Sequence, residues 1–211
     1  MSQPFDRGCE VPAPAGAGEP DPTLGELWVG NPLMISQLHN LSCYERNRAY
    51  LNVGGKNFVD ASTITGTDSD GDGRAIFGAD LNDDGREDIV VRQVGGGPLL
   101  VFENRFPQKS WLKVSLRGRE SNRQGIGARL IAHVGTQRIV RELWPINTFH
   151  SQAPAYVQFG LGSQTQVDEL TIQWPSGKEQ KLGPIPANRH VRILESAAEF
   201  ETVTPGQPFK P

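Results

Sequence analysis

Turn-forming residues interrupt this chain about every ten residues, and the segments between them are short and rich in β-branched and aromatic residues. The clearest case is Asn47–Val53 and Asn57–Ser62, which are separated by Gly54-Gly55 and predict a β-hairpin. Glycine (24) and proline (16) are abundant among the 211 residues, which favours turns over long helices. The pattern predicts an all-β fold of propeller blades or a sandwich.

The charge of the chain changes sign near Phe106-Pro107. From Arg105 to Glu195 there are 13 Lys and Arg against 6 Asp and Glu, whereas the whole chain has a net charge of −3. We therefore predict a domain boundary at this point. The predicted segments are a flexible lead-in (1–25), a blade-like region (26–105), a second β domain (106–196) and a Pro-rich tail (197–211).

An acidic loop from Asp80 to Asp88 is the most informative motif. Oxygen-bearing side chains occupy loop positions 1, 3, 5 and 9, Gly85 at position 6 permits a sharp turn, and the carbonyl of position 7 can point inward. Calcium binds about six to eight hard oxygen ligands, which alternate loop residues can supply. The alternative is a turn held by side-chain-to-backbone hydrogen bonds. The predicted calcium ligands are Asp80, Asn82, Asp84, Arg86 through its carbonyl, and Asp88.

A second acidic turn begins with the same spacing but has Ile76 at position 9. It is a weaker candidate metal site, and a Gly-rich acidic turn explains it equally well. The loop of the preceding paragraph is not an EF-hand, because position 12 is Val91 and the flanking segments predict strands. The residues of the second candidate site are Asp68, Asp70 and Asp72.

Motifs of the common enzyme classes are absent from the sequence: there is no GxSxG, phosphate-binding loop, GxGxxG or HExxH. We predict no catalytic residues, with a hydrolase at the propeller face or the domain interface as the alternative, motivated by His150 and Ser151. We also predict no nucleic-acid partner. We predict no membrane-spanning segment, because no stretch approaches about 20 apolar residues. The N-terminus lacks a signal-peptide pattern. Cys9 and Cys43 could form one disulfide or remain free.

Arginines of the second half raise an alternative function, the binding of anionic glycans or nucleic acid. A solvated face on a β-sandwich is the favoured explanation, and the interleaved aromatic residues expected of a protein that binds single-stranded nucleic acid are few. The arginines concerned are Arg117, Arg119, Arg123, Arg129, Arg138 and Arg141.

Two family resemblances follow from these motifs. Phe77-Gly78, the loop to Asp88 and the strand Ile89–Val91 resemble FG-GAP or VCBS repeats of integrin-like β-propellers, in which this loop binds calcium. The second half resembles the ASPIC/UnbV domain of cartilage-acidic-protein-like proteins. The matching pieces are Trp111-Leu-Lys-Val, Asn122-Arg123, Gly125-Ile-Gly127-Ala-Arg129, Ser151-Gln152, Phe159-Gly-Leu-Gly162, Val167-Asp168 and Trp174-Pro-Ser-Gly-Lys178.

Together the resemblances imply one or more partial β-propeller blades packed with a C-terminal, β-sandwich-like ASPIC/UnbV domain. They imply a secreted, cell-surface or periplasmic module that binds calcium and a protein or glycan ligand. A closed propeller needs about four or more blades, and this chain has about one and a half. We therefore expect the remaining blades to come from a longer chain, and the alternative is that the blade strands pack on the ASPIC/UnbV-like domain in another way.

Overall fold

The structure is a computed structural model that describes residues 46–71, 73–93, 98–146 and 151–204. It contains two compact units. The first comprises the described residues up to Ile76 together with Val90–Phe102, and the second comprises Phe77–Ile89 and the described residues from Glu103 onward. The predicted lead-in, both cysteines, His150 and residues 205–211 of the predicted tail lie outside the described residues. The earlier part of that predicted tail is not a free segment, because Phe200–Thr202 forms a strand of the second unit.

The first unit begins with the predicted hairpin. Strands β1 (Tyr50–Val53) and β2 (Asn57–Asp60) pair antiparallel, with Tyr50 opposite Asp60. Gly54 and Gly55 both have positive φ angles (63° and 73°), which the two central residues of a type I′ turn require. β2 ends earlier than Ser62, because the Asp60 carboxylate accepts a hydrogen bond from the Ser62 backbone N–H and turns the chain into helix α1 (Ser62–Thr65).

The hairpin of the first unit leaves large apolar side chains in solvent. Both strands are exposed along their whole length, and Phe58 retains 68% of its accessible surface. This is unusual for a folded domain, in which such side chains normally meet another layer. Other exposed apolar residues of the same unit are Tyr50, Leu51, Val53, Val59, Ile64, Ile76, Leu99 and Val101.

A three-stranded sheet follows in the order β3-β4-β5. Its strands are β3 (Gly73–Ala79), β4 (Asp88–Gln93) and β5 (Leu100–Phe102). The acidic loop Asp80–Glu87 joins β3 to β4, as its flanking sequences predicted. The ends of β3 and β4 that carry this loop belong to the second unit.

The second unit is a sandwich of two four-stranded sheets. One sheet has the order β15-β14-β6-β9, in which β14 and β6 are parallel, and the other has the antiparallel order β12-β11-β7-β8. A two-stranded ribbon pairs β10 with β13. The strands are β6 (Ser110–Arg117), β7 (Arg129–Val134), β8 (Gln137–Glu142), β9 (Val157–Gly162), β10 (Gln166–Val167), β11 (Glu169–Gln173), β12 (Glu179–Leu182), β13 (Ile185–Pro186), β14 (Arg189–Leu194) and β15 (Phe200–Thr202).

One hydrophobic core lies between the two sheets of the sandwich. Leu112 and Val114 project into it from β6, and Leu130 and Ile172 project from the facing sheet, all with no exposed surface. The alternation of apolar and polar residues along β6 thus places one face of the strand in the core. The all-β prediction is confirmed, and no sheet of the described residues closes into a barrel or propeller.

The opposite face of β6 is also covered. Lys113 points away from the core, yet its side chain is only 3% exposed. A half-buried strand would leave such a lysine in solvent, so another part of the chain must lie over it. Among the described residues, none of the helices has the length and apolar composition to cross a membrane.

Candidate functional site

The acidic loop covers the outer face of β6 within the second unit. The side chains of Gln108 and Gln158 donate hydrogen bonds to the carbonyls of Asp84 (3.0 Å) and Gly85 (2.7 Å). The Tyr156 hydroxyl accepts a hydrogen bond from the Asp80 backbone N–H at 3.0 Å. The loop is therefore fixed to the sandwich at several points along its length.

Three predicted ligand residues lie together at the start of the loop. Oδ1 of Asp80 and Oδ1 of Asn82 both accept hydrogen bonds from the backbone N–H of Asp84, at 3.1 and 3.2 Å. The amide group of Asn82 donates to Oδ2 of Asp84 at 3.0 Å. The sequence spacing thus brings these side chains to one place, and their oxygens accept hydrogen bonds from N–H groups of the loop itself.

The remaining predicted ligand residues are also hydrogen-bonded. The guanidinium of Arg86 binds the Asp84 carboxylate, and these hydrogen bonds lower the pKa of Asp84 to about 2. The side chain of Arg86 also donates to the carbonyl of Phe106 at 2.9 Å. Asp88 is buried and accepts from the backbone N–H groups of Leu81 (3.1 Å) and Asn104 (2.8 Å).

Lys113 provides the cation nearest to the start of the loop. Its Nζ atom lies 2.9 Å from Oδ2 of Asp80 and 3.5 Å from Oδ1 of Asp83. The Asp80 side chain has no exposed surface, whereas that of Asp83 is 54% exposed. The ammonium also lies 5.6 Å from the ring centre of Trp111 and 4.9 Å from that of Tyr156, within the range of cation–π attraction.

The arrangement does not fit calcium as it stands. Calcium needs about six to eight oxygens directed at one point, but here each predicted carboxylate points at N–H donors. In the described part of the chain, no group of three or more His, Cys, Asp or Glu side chains is placed to hold a metal ion. Calcium at Asp80, Asn82, Asp84, Arg86 and Asp88 therefore stays a prediction from sequence.

The second acidic turn lies in the first unit. Asp68 accepts hydrogen bonds from Arg46 at 3.1 Å and from the Thr63 hydroxyl at 3.4 Å. Asp70 also has a partner, and Asp72 lies outside the described residues. A second metal site at Asp68, Asp70 and Asp72 therefore stays a prediction from sequence.

A second site, which motif analysis did not locate, is a cleft of about 760 Å³ at the ends of β6 and β14. Arg117, Arg123 and Arg192 line it, together with the amide side chains of Asn122 and Gln124. Arg117 and Arg192 also line a neighbouring cleft of about 660 Å³ that contains Arg119. Three of the arginines that the sequence singled out, Arg117, Arg119 and Arg123, thus belong to one region, whereas Arg129, Arg138 and Arg141 lie on β7 and β8.

Glu195 organises the loop beside this cleft, and sequence reasoning missed it. Its carboxylate is fully buried and accepts hydrogen bonds from the backbone N–H groups of Arg119, Glu120 and Ser121, at 2.6 to 2.9 Å. The hydroxyls of Ser121 and Ser176 donate to its other oxygen. Burial alone would raise the pKa of Glu195, but these hydrogen bonds outweigh it and lower the pKa to about 2.

Two protein-family models match successive parts of the chain. The family described as FG-GAP-like repeat matches residues 34–91, and the family described as ASPIC and UnbV matches residues 118–200. No curated protein matches the chain significantly. Within the chain, an FG-GAP-like repeat is thus followed by an ASPIC/UnbV domain, in the order that the motifs predicted.

Proposed function

We propose that this chain is a non-enzymatic binding module of the extracellular, adhesion type, and that it contacts an anionic glycan through the arginine-lined cleft. The pair of domains supports the general class of an extracellular-type adhesion or binding module. The cleft formed by Arg117, Arg123 and Arg192 is the observation that carries the choice of ligand.

Charge is the first argument for an anionic ligand. Three guanidinium groups line the cleft, and its described lining residues include no carboxylate. The exposed carboxylate of Glu201 lies outside this lining, 4.0 Å from the guanidinium of Arg192. Guanidinium groups bind sulfate and carboxylate groups in a bidentate manner, which makes arginine the preferred side chain for such ligands. A lining of this kind lowers the energy of a polyanion and raises its local concentration.

The remaining lining residues favour a sugar over a nucleic acid. Gln124 provides an amide donor and acceptor that suit hydroxyl groups, and Ile126 provides apolar surface for the face of a sugar ring. The amide of Asn122 is hydrogen-bonded to the backbone of Ile126 and holds this part of the lining in place. Single-stranded nucleic acids are typically bound by aromatic side chains on which bases stack. The described lining of this cleft contains no aromatic residue.

The experiment measures binding of heparin fragments to the purified chain over a range of salt concentrations. We expect affinity to fall with salt, and Arg123→Ala to weaken binding about threefold to tenfold and to reduce the salt slope by about one. Arg138→Ala is the matched control, because Arg138 is an exposed arginine on β8 outside the cleft. Equal losses of affinity in the two variants would show that binding depends on general positive charge, and would contradict the proposal that the cleft is the binding site.

A single-stranded DNA oligonucleotide of similar charge tests the alternative ligand class. We expect it to compete only weakly with the heparin fragment at physiological salt. Tighter binding of DNA than of heparin, with the same dependence on Arg123, would overturn the glycan assignment and favour a nucleic-acid ligand.

Further propeller blades are the proposed partner of the first unit. The exposed apolar side chains of β1 and β2, above all Phe58, support this proposal, because blades of a propeller cover one another.

Calcium at the acidic loop is the remaining part of the sequence-based hypothesis. Its oxygen-rich spacing supports it, and the hydrogen bonds already formed by these oxygens oppose it.

A further inference from the structure

We propose that Lys113 is the built-in cation of the acidic loop, so that the loop keeps its conformation without a divalent metal. The spacing of the loop predicts calcium. In the structure, the ammonium group of Lys113 on β6 lies instead against the first carboxylate of the loop, that of Asp80. The contacts that support this proposal lie within the second unit and do not involve the arginine-lined cleft.

The start of the loop favours a nearby positive charge. Asp80 is an ionisable side chain with no exposed surface, and an uncompensated buried carboxylate is strongly unfavourable. Backbone N–H groups of Asp84 and Gly85 provide two hydrogen bonds to it, at 3.1 and 2.9 Å. These are dipoles and leave the net charge in place, so a cation beside the carboxylate adds stabilisation that the two hydrogen bonds do not supply.

Lys113 meets this requirement in position and burial. Its ammonium lies 2.9 Å from Oδ2 of Asp80, and its side chain is 3% exposed, so both partners of the ion pair are shielded from water. The rings of Trp111 and Tyr156 and the carboxylate of Asp83 provide further favourable electrostatic contacts. Each partner is thus compensated by the other, which is the condition under which buried charges are tolerated.

The other acidic groups at predicted ligand positions have their own partners. Asp84 is paired with Arg86, and Asp88 accepts two backbone N–H hydrogen bonds. A calcium ion would have to break the Lys113–Asp80 ion pair and several of these hydrogen bonds before it gained its own ligands. The free energy of breaking these interactions would oppose calcium binding and weaken the affinity of the loop for the ion.

The first test is a thermal melt of the wild-type chain in a chelator and in millimolar calcium or magnesium. A calcium site at a hundredfold excess of metal over Kd would raise Tm by about 5–10 °C in a chain of this size. We expect a change below about 2 °C, and no heat of binding in a calcium titration. A calcium-selective rise of the larger size would overturn the proposal.

The second test is a double-mutant cycle with Lys113→Met and Asp80→Asn. Methionine keeps much of the lysine's apolar volume between the aromatic rings and removes the charge. We expect each single substitution to lower Tm by about 10 °C, and the double variant to be no less stable than the worse single variant. Additive losses would show that the two charges do not act as a pair.

Lys181→Met is the matched control for the cycle. Lys181 lies on β12 and pairs with Glu169 at 3.2 Å, but both side chains are about half exposed, so we expect almost no change in Tm. Lys113→Arg retains the charge and provides a folded variant if Lys113→Met is too unstable to purify. An arginine variant that is insensitive to Asp80→Asn would also contradict the ion pair.

Discussion

Trp111 lies directly over Gly85, so closely that a β-carbon added to the glycine would overlap the indole ring. Gly85 also has a φ angle of 86°, which side chains other than glycine's rarely allow. The glycine at position 6 of the acidic loop is therefore required for two reasons, the turn and the contact with β6. Only the turn could be expected from the motif.

Gly85→Ala should destabilise the second unit by more than about 3 kcal/mol, because it combines backbone strain with a steric overlap. Urea unfolding measures the loss as a lower midpoint. Gly127→Ala is the control, since Gly127 has a similar φ of 92° but its added β-carbon would lie 3.7 Å from its nearest neighbour, Pro175. We expect only the cost of strain there, about 1 to 2 kcal/mol.

Trp111→Ala distinguishes the two contributions at Gly85. In the Gly85→Ala background it should recover part of the lost stability, since it removes the overlap. If Gly85→Ala and Gly127→Ala were equally destabilised and Trp111→Ala gave no recovery, the close packing of indole and loop would be wrong.

Glu195 should make the second unit sensitive to acid. Its pKa is about 2 in the folded chain against an ordinary value of 4.5, so the folded state favours the charged form. The stability contributed by this carboxylate is complete above pH 4.5 and is lost as pH falls toward 2. Urea midpoints measured across this range should decline in the wild type and change less in Glu195→Gln.

The same substitution should lower stability at neutral pH by about 3 kcal/mol, because a glutamine amide cannot accept all the hydrogen bonds that the carboxylate receives. Glu179→Gln is the control, since Glu179 is an exposed carboxylate on β12. A wild type and a Glu195→Gln variant with parallel pH profiles would contradict the assigned role of Glu195.

His190 should produce a separate loss of stability on acidification, in a window at higher pH than that of Glu195. Burial, together with the positive charges of Lys113 and Arg192, lowers the pKa of His190 from 6.5 to about 4, against an opposite effect of Asp83. Because the folded pKa is depressed, stability is complete above pH 6.5 and falls as pH decreases toward 4. His190→Asn should flatten the profile in this window and leave the decline at lower pH in place.

Ser115 is the hydrogen-bonding partner that makes this test specific. Nε2 of His190 lies 3.1 Å from its hydroxyl oxygen, and the imidazole ring packs edge-on against Tyr156. His133→Asn is the control, because His133 is an exposed histidine of β7. A pH profile of stability that is flattened in the His133 variant and unchanged in the His190 variant would contradict the role assigned to His190.

Local sequence determined most of the fold. The hairpin over Tyr50–Asp60 follows from its Gly-Gly turn, and the strand around Lys113 follows from apolar residues at every second position. These signals extend over only a few residues, so they can be recognised in the sequence without knowledge of the tertiary structure. The order of the two domains was predictable because motif spacing is also local.

The contacts that define the candidate sites join residues far apart in the chain. Lys113 is 33 residues from Asp80, and Glu195 is 74 to 76 residues from the backbone groups that it binds. Alternation along β6 predicts that Lys113 points away from the core, but not that a loop covers that face. The calcium motif could therefore be identified from spacing, whereas the lysine beside it could not.

The apolar hairpin of the first unit leads to the last prediction. Phe58 and its neighbours expose more apolar surface than a stable surface normally tolerates, and exposed hairpins of this kind pair with other chains. Sedimentation velocity should therefore detect concentration-dependent self-association of the purified chain, and Phe58→Lys should reduce it severalfold. Ile146→Lys is the control, because Ile146 is 61% exposed in the second unit, away from the hairpin in sequence. A chain that stays monomeric at high concentration, or an equal effect of both substitutions, would show that this hairpin is not an association surface and would remove the support it gives to neighbouring blades.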